Sequence, residues 1–209
     1  MSGRIIETEA CIAEGLACLI RAESRFSRAL ELTGPPPLRR RPDGFAALAE
    51  AIVSQQLSVA SADAILRRMR VAGLVEEGAI LRAEEAELRA CGLSGPKIRY
   101  LRALAAAGID YHRLRSAPDE EVIATLTEIT GIGRWTAEIY AMFSLGRADV
   151  FAAGDLALQE AARMLFRLPA RPPERQLREM AAPWSPWRGV AARLLWAYYR
   201  VCKQREGIR

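Results

Sequence analysis

Apolar residues recur at helical spacing along the whole chain, and no stretch alternates apolar and polar side chains as a half-buried strand would. That regularity restricts the chain to an all-α fold and excludes a parallel-sheet enzyme. Residues 7–31 carry Ile12, Leu16, Leu19 and Ile20 on one helical face, and Thr33-Gly34-Pro35-Pro36-Pro37 ends the segment. A short basic linker, Leu38 to Pro42, contains Arg39, Arg40 and Arg41. Asp43 is placed to cap a helix through about Ser54, and Ser58 another through about Met69. Residues 84–90 predict a short helix, and Leu93 to Ala107 a helix interrupted near Gly95-Pro96. Pro118 opens the next one, in the favoured first-turn position. Residues 134–145 follow, stopped by Gly146, and Asp155 to Phe166 forms one more. Beyond the Pro-rich stretch 169–173, helices are predicted near 174–181 and 187–202.

The 209 residues suffice for one large or two small domains with a buried core. No apolar run reaches transmembrane length, and the N-terminus carries acids where a signal peptide would be basic and then apolar. A protein soluble inside the cell is expected, in the cytoplasm or nucleoid of a bacterium or the nucleus of a eukaryote. A net charge of +5 permits a polyanionic partner without demanding one. The basic groups at Arg39–Arg41 and Arg67-Arg68-Met69-Arg70 are expected on solvated faces or linkers. Only Lys97 and Lys203 are lysines among the 30 basic residues, which restricts amine chemistry to two positions. Cys11, Cys18, Cys91 and Cys202 form no C-x-x-C pair, and His112 is the sole histidine. The pattern does not make a zinc site, and reduced core cysteines are expected.

Residues 126–155, LTEITGIGRWTAEIYAMFSLGRADVFAAGD, concentrate the functional signal. A helical run ends in Gly131-Ile132-Gly133 and a second begins directly after, making a helix-hairpin-helix. The two glycines permit positive φ angles and leave no side chain in the way of a close approach. Outward-pointing N–H groups at the start of the second helix, aided by its dipole, suit a DNA phosphate. Backbone carbonyls at the turn could hold a monovalent cation. An ordinary helix corner would read the same way. Asp155 fits a helix N-cap and, compatibly with that, a carboxylate beside the cationic sugar that forms when an N-glycosidic bond breaks. Trp135, Trp184, Trp187 and Trp196 are core residues or, for one or two of them, the wall of a pocket for an extruded base. Ser54-Gln55-Gln56-Leu57-Ser58 is a solvated loop or a probe for the minor groove.

In this order the pieces resemble the helix-hairpin-helix DNA glycosylase superfamily (HhH-GPD), and within it the 3-methyladenine DNA glycosylase II branch of AlkA type. The similarity runs from about 43 to 200, on AIVSQQLSVA (51–60), GIGRWTAEIYAMFSLG (131–146), DVFAAGD (149–155) and PWRGVAARLLWAYY (186–199). The resemblance implies two helical domains with the active-site cleft between them, one built from 1–40 plus 150–209 and the other from 41–149. It implies that Asp155 is catalytic, that Gly131, Ile132 and Gly133 grip phosphate with Thr136 beside them, and that Trp135 and Trp196 line the base pocket. Gln56 falls at the wedge position, with Leu57 the neighbouring candidate. The carbonyls of Thr127, Ile129 and Ile132 would hold a structural Na+ or K+ when DNA is bound. No other cofactor is implied; the lone Cys202 does not make the iron–sulfur site of some members. Lyase members carry a lysine where this chain has Trp135, and Lys97 and Lys203 are far from the hairpin in sequence. A monofunctional, water-using glycosylase is therefore expected, a compact form without the extra N-terminal domain of longer relatives. It would act as a monomer on double-stranded DNA with alkylated purines, with no membrane partner. The rivals are a helix-hairpin-helix module that only binds DNA, a bifunctional glycosylase/lyase, and a helical interaction protein with no DNA role.

Overall fold

The structure is a computed structural model that describes residues 3–206. The described residues form thirteen α-helices: α1 (Glu9–Ala22), α2 (Arg25–Thr33), α3 (Phe45–Ser54), α4 (Val59–Val71), α5 (Glu77–Arg82), α6 (Glu85–Ala90), α7 (Gly95–Ala106), α8 (Tyr111–Ser116), α9 (Asp119–Thr127), α10 (Arg134–Phe143), α11 (Leu156–Phe166), α12 (Glu174–Met180) and α13 (Arg188–Glu206). The only extended pairing among them is a single antiparallel bridge, Ile5 with Arg147. The all-α expectation is borne out.

Several local expectations need correction. The segment 7–31 is two helices, because Glu23 turns extended at φ −151° and ψ 100° and its carboxylate takes both Arg25 N–H and the Arg25 guanidinium. Asp43 does not cap α3. Gly44 occupies that position, and Asp43 instead binds Arg115 at 2.6 and 3.1 Å. Gly95-Pro96 does not interrupt α7 but opens it, since a proline in the first turn surrenders no helical hydrogen bond. Two short helices, α5 and α8, carry too few residues for periodicity to reveal. Only Cys91 is buried; Cys11, Cys18 and Cys202 are half-exposed, and all four are free thiols.

The chain divides into two compact units. One is Arg41–Tyr140; the other joins Gly3–Arg40 to the chain from Ala141 onward. The changeover between the two units falls within α10, between Tyr140 and Ala141. Of the segments 1–40 and 150–209 assigned to one domain, residues 1–2 and 207–209 lie outside the described residues.

In the first unit α7 is the hub, packing on α3, α5 and α6. Ile98, Leu101 and Leu104 of α7 meet Leu48 and Ile52 of α3, Ile80 of α5 and Leu88 of α6 in a core almost free of solvent. Each such side chain contributes about 1.5–3 kcal/mol by leaving water. In the second unit α13 is the hub against α1, α2 and α11. There Trp184 packs edge-on to Phe26 and Phe151 and stacks on Phe166, with centroids 5.1 to 5.7 Å apart.

Candidate functional site

The hairpin belongs to the first unit. Ile132 is buried and anchors the corner, while the flanking glycines do different jobs. Gly131 has φ +98°, and a Cβ there would collide with the Tyr100 ring. Gly133 needs no positive φ, contrary to expectation, and a Cβ on it would meet nothing within 4 Å. Its value is the open approach it leaves to the start of α10. The helical ladder of α10 begins with Ala137 N–H donating to Gly133 O at 3.1 Å, and the N–H groups of a helix's first turn point out of its end. Thr136, in the first turn of α10, is buried at 6% exposure. Arg134 braces the corner, donating to buried Glu138 at 2.9 Å and lying 3.6 Å from Glu120 of α9.

In the same unit the loop 54–58 is fastened to this corner. Gln55 Nε2 donates to Gly131 O at 3.0 Å. Lys97 Nζ donates to the carbonyls of Ile52, Val53 and Gln55, the last at 2.7 Å, and so closes the C-terminal end of α3. Gln56 is left exposed in the left-handed region at φ +57°, and Leu57 is 38% exposed beside it. Lys97 is therefore not remote from the hairpin, as its sequence position suggested; one residue of the loop it holds touches the turn. Burial pushes its ammonium pKa down, yet all its donors are directed at carbonyls. Gln55 and Lys97 escaped the sequence reading because their partners are 76 and 42 to 45 residues away.

The second unit carries the carboxylates. Asp149 is consumed by structure: Arg188 grips it with two hydrogen bonds, at 2.9 and 2.8 Å, and Ser185 Oγ donates to it at 2.7 Å. Asp155 is half-buried and caps α11. Its Oδ1 accepts Ala157 N–H at 2.9 Å, Leu158 N–H at 3.0 Å and Trp196 Nε1–H at 3.1 Å. Three donors on one oxygen fix the carboxylate plane. Leu156, next to it, is 61% exposed at the start of the helix.

The four tryptophans separate cleanly. Trp184 and Trp187 are core, at 4% and 2% exposure. Trp135, in the first turn of α10, is 47% exposed. Trp196 is half-buried, its ring tilted 33° against Phe143 at 5.8 Å. Among the described residues no cluster of three His, Cys, Asp or Glu is placed to hold a metal ion, and no helix is long and apolar enough to cross a membrane.

Residues 49–186 match the HhH-GPD superfamily of base excision DNA repair proteins. The DNA-3-methyladenine glycosylase 1 of Schizosaccharomyces pombe is 31% identical over 201 residues, covering 90% of this chain and 87% of that protein. The crystal structure of a DNA-3-methyladenine glycosidase from Bacillus halodurans superposes with a TM-score of 0.83 at 31% identity, over 98% of this chain and 95% of that one. The S. pombe 3-methyladenine DNA glycosylase in complex with abasic DNA superposes with a TM-score of 0.76 at 32% identity, over 88% and 95% of the two chains.

Proposed function

The chain belongs to the HhH-GPD superfamily of base excision DNA repair proteins, and from that membership we propose that it is a monofunctional DNA-3-methyladenine glycosylase of the type II, AlkA-like kind. It acts on duplex DNA, extrudes alkylated purines of the 3-methyladenine and 7-methylguanine type, and hydrolyses their N-glycosidic bond. The observation that carries the reading is Asp155, whose Oδ1 is held by two backbone N–H groups and one indole N–H while the residue stays half-buried. A cap that served the helix alone would need no indole donor from 41 residues away.

The chemistry follows from charge. Alkylation at N3 or N7 makes the purine cationic. The C1′–N bond breaks with its electron pair moving to the base, which leaves neutral and needs no strong general acid. The positive charge developing on the deoxyribose is stabilised by the Asp155 carboxylate. Water forms the new bond to C1′, and its proton passes to Asp155 or to solvent, leaving an abasic site. Gly131, Ile132 and Gly133 receive the phosphate with the backbone N–H groups of the first turn of α10. Gln56 or Leu57 fills the gap in the duplex. Trp196, bonded to Asp155, forms a wall of the base site. The carbonyls of Thr127, at the end of α9, and of Ile129 and Ile132 suit a Na+ or K+ that would lend charge to the phosphate grip. Ile129 O already accepts Ile132 N–H at 3.0 Å and keeps a second lone pair.

A lyase pathway needs a neutral amine at the sugar. Lys97 gives its donors to three carbonyls, which argues against that role. The test is to incubate the protein with methylated duplex DNA and identify the free bases. Release of 3-methyladenine by the native chain, lost in Asp155→Asn with duplex binding retained, is the expected result. Equal release by both proteins removes Asp155 from the reaction. A borohydride-trapped covalent adduct would return the lyase reading.

A further inference from the structure

Arg193 lies on α13, one turn before Trp196, and is 4% exposed. Burying a guanidinium is costly unless its donors are met, and an apolar side chain of similar volume would cost less. Its two terminal nitrogens donate to Gly189 O at 2.9 Å and Met142 O at 2.8 Å. Met142 sits in the last turn of α10, where carbonyls lack helical partners and the dipole is negative. No carboxylate pairs with Arg193 among the described residues. Burial, with repulsion from Arg40 and Arg39, pushes its pKa down to about 10, which leaves it charged at neutral pH. The rest of its surroundings are aromatic. Its Cζ stands 4.7 Å from the centroid of the Phe143 ring. Phe143 lies 5.8 Å from the Trp196 ring, and the Trp196 indole N–H reaches Asp155 Oδ1 at 3.1 Å. An unbroken run of contacts inside the second unit thus leads from a buried charge to the carboxylate.

We propose that Arg193 is a positioning residue for Asp155, acting through Phe143 and Trp196. The inference rests on the reading of Asp155 as the catalytic group. The guanidinium holds the Phe143 ring by a cation–π contact in a desolvated setting, where such contacts are strongest. Phe143 then forms a wall that fixes the plane of the Trp196 indole. With the plane fixed, the N–H points at Oδ1 and the carboxylate keeps its aim. Without the wall the indole is free to rotate, and Asp155 loses the donor that distinguishes it from an ordinary helix cap.

The experiment is a mutant cycle read by single-turnover release of 3-methyladenine from methylated duplex, with affinity for an abasic duplex measured separately. Arg193→Gln is expected to slow release about tenfold or more, as small misplacements of a reacting group do, with affinity unchanged. Trp196→Phe, which keeps a ring and loses the N–H, is expected to slow it similarly. The double variant should be no slower than Trp196→Phe alone, a non-additivity that a merely structural role would not produce. Arg193→Lys should restore part of the rate. If Arg193→Gln fails to fold, by circular dichroism and thermal melting, Phe143→Leu takes its place in the same cycle and breaks the same link. The inference is overturned if Arg193→Gln, or its replacement, releases base at the native rate while Asp155→Asn is inactive. It is equally overturned if the losses multiply in the double variant. Native-rate release by Asp155→Asn would overturn the reading of Asp155 itself, and this inference with it.

Discussion

α10 starts just after Gly133, which has no side chain to offer its first turn, whereas α11 starts just after Asp155, which takes two of its first N–H groups at 2.9 and 3.0 Å. Both are positive helix ends, and both lie in the run 126–155. They differ in who supplies the anion. At α11 the anion is the chain's own, so the helix end orients a carboxylate and the Trp196 indole adds a third donor. At α10 the glycine at the helix start supplies none and leaves the end open. One electrostatic device therefore holds a carboxylate in one unit and, in the function proposed, is left open for a phosphate in the other.

The largest effect should come from removing charge at the closed helix start. Asp155→Asn keeps the capping geometry, because asparagine caps as well as aspartate, so the melting temperature should barely move. Base release should fall by about a hundredfold or more, the usual loss when an electrostatic stabiliser is removed. A large loss of melting temperature without loss of rate would reduce Asp155 to a cap. Next in size, Gly131→Ala should cost about 2–3 kcal/mol, through φ +98° and the clash with Tyr100, measured by urea unfolding. A smaller and more pointed test converts the open start into a closed one. Gly133→Asp fits sterically and should cap α10 without loss of stability, yet weaken duplex binding about tenfold by placing a carboxylate where phosphate is to sit. Undiminished binding would mean that phosphate does not use this end. Lys97→Met removes charged hydrogen bonds to the end of α3 and should cost about 1.5–3 kcal/mol, less any screening by solvent at this half-buried site. The smallest effect is expected from Gln55→Ala, about 1 kcal/mol, from the lost bond to Gly131 O. Base release by these last two should fall only as far as the loop 54–58 loses its register on the hairpin.

Much of this was legible in the order of residues because it is local. Ser58 caps α4 by accepting Ser61 N–H, Asp155 caps α11, and the glycine corner falls between α9 and α10, all as spacing predicted. Where local reading failed, a partner distant in sequence could be to blame, as with Arg115, 72 residues on, drawing Asp43 away from its capping position. The loop 54–58 was recognised, but the weight fell on Gln56, while Gln55 is the residue that reaches the hairpin. Nothing in a run of two glutamines marks which amide will face inward.

The sequence by itself determined most of the longer helices, the caps at Ser58 and Asp155 and the glycine corner, because those depend on residues within about four positions of each other. Only the tertiary structure decided that Trp184 and Trp187 are core while Trp135 is exposed, that Lys97 closes α3, and that a buried arginine backs the aromatic wall behind Trp196. Those outcomes join residues tens of positions apart. They are fixed by how packed helices share space and by which polar groups must find partners once water is gone.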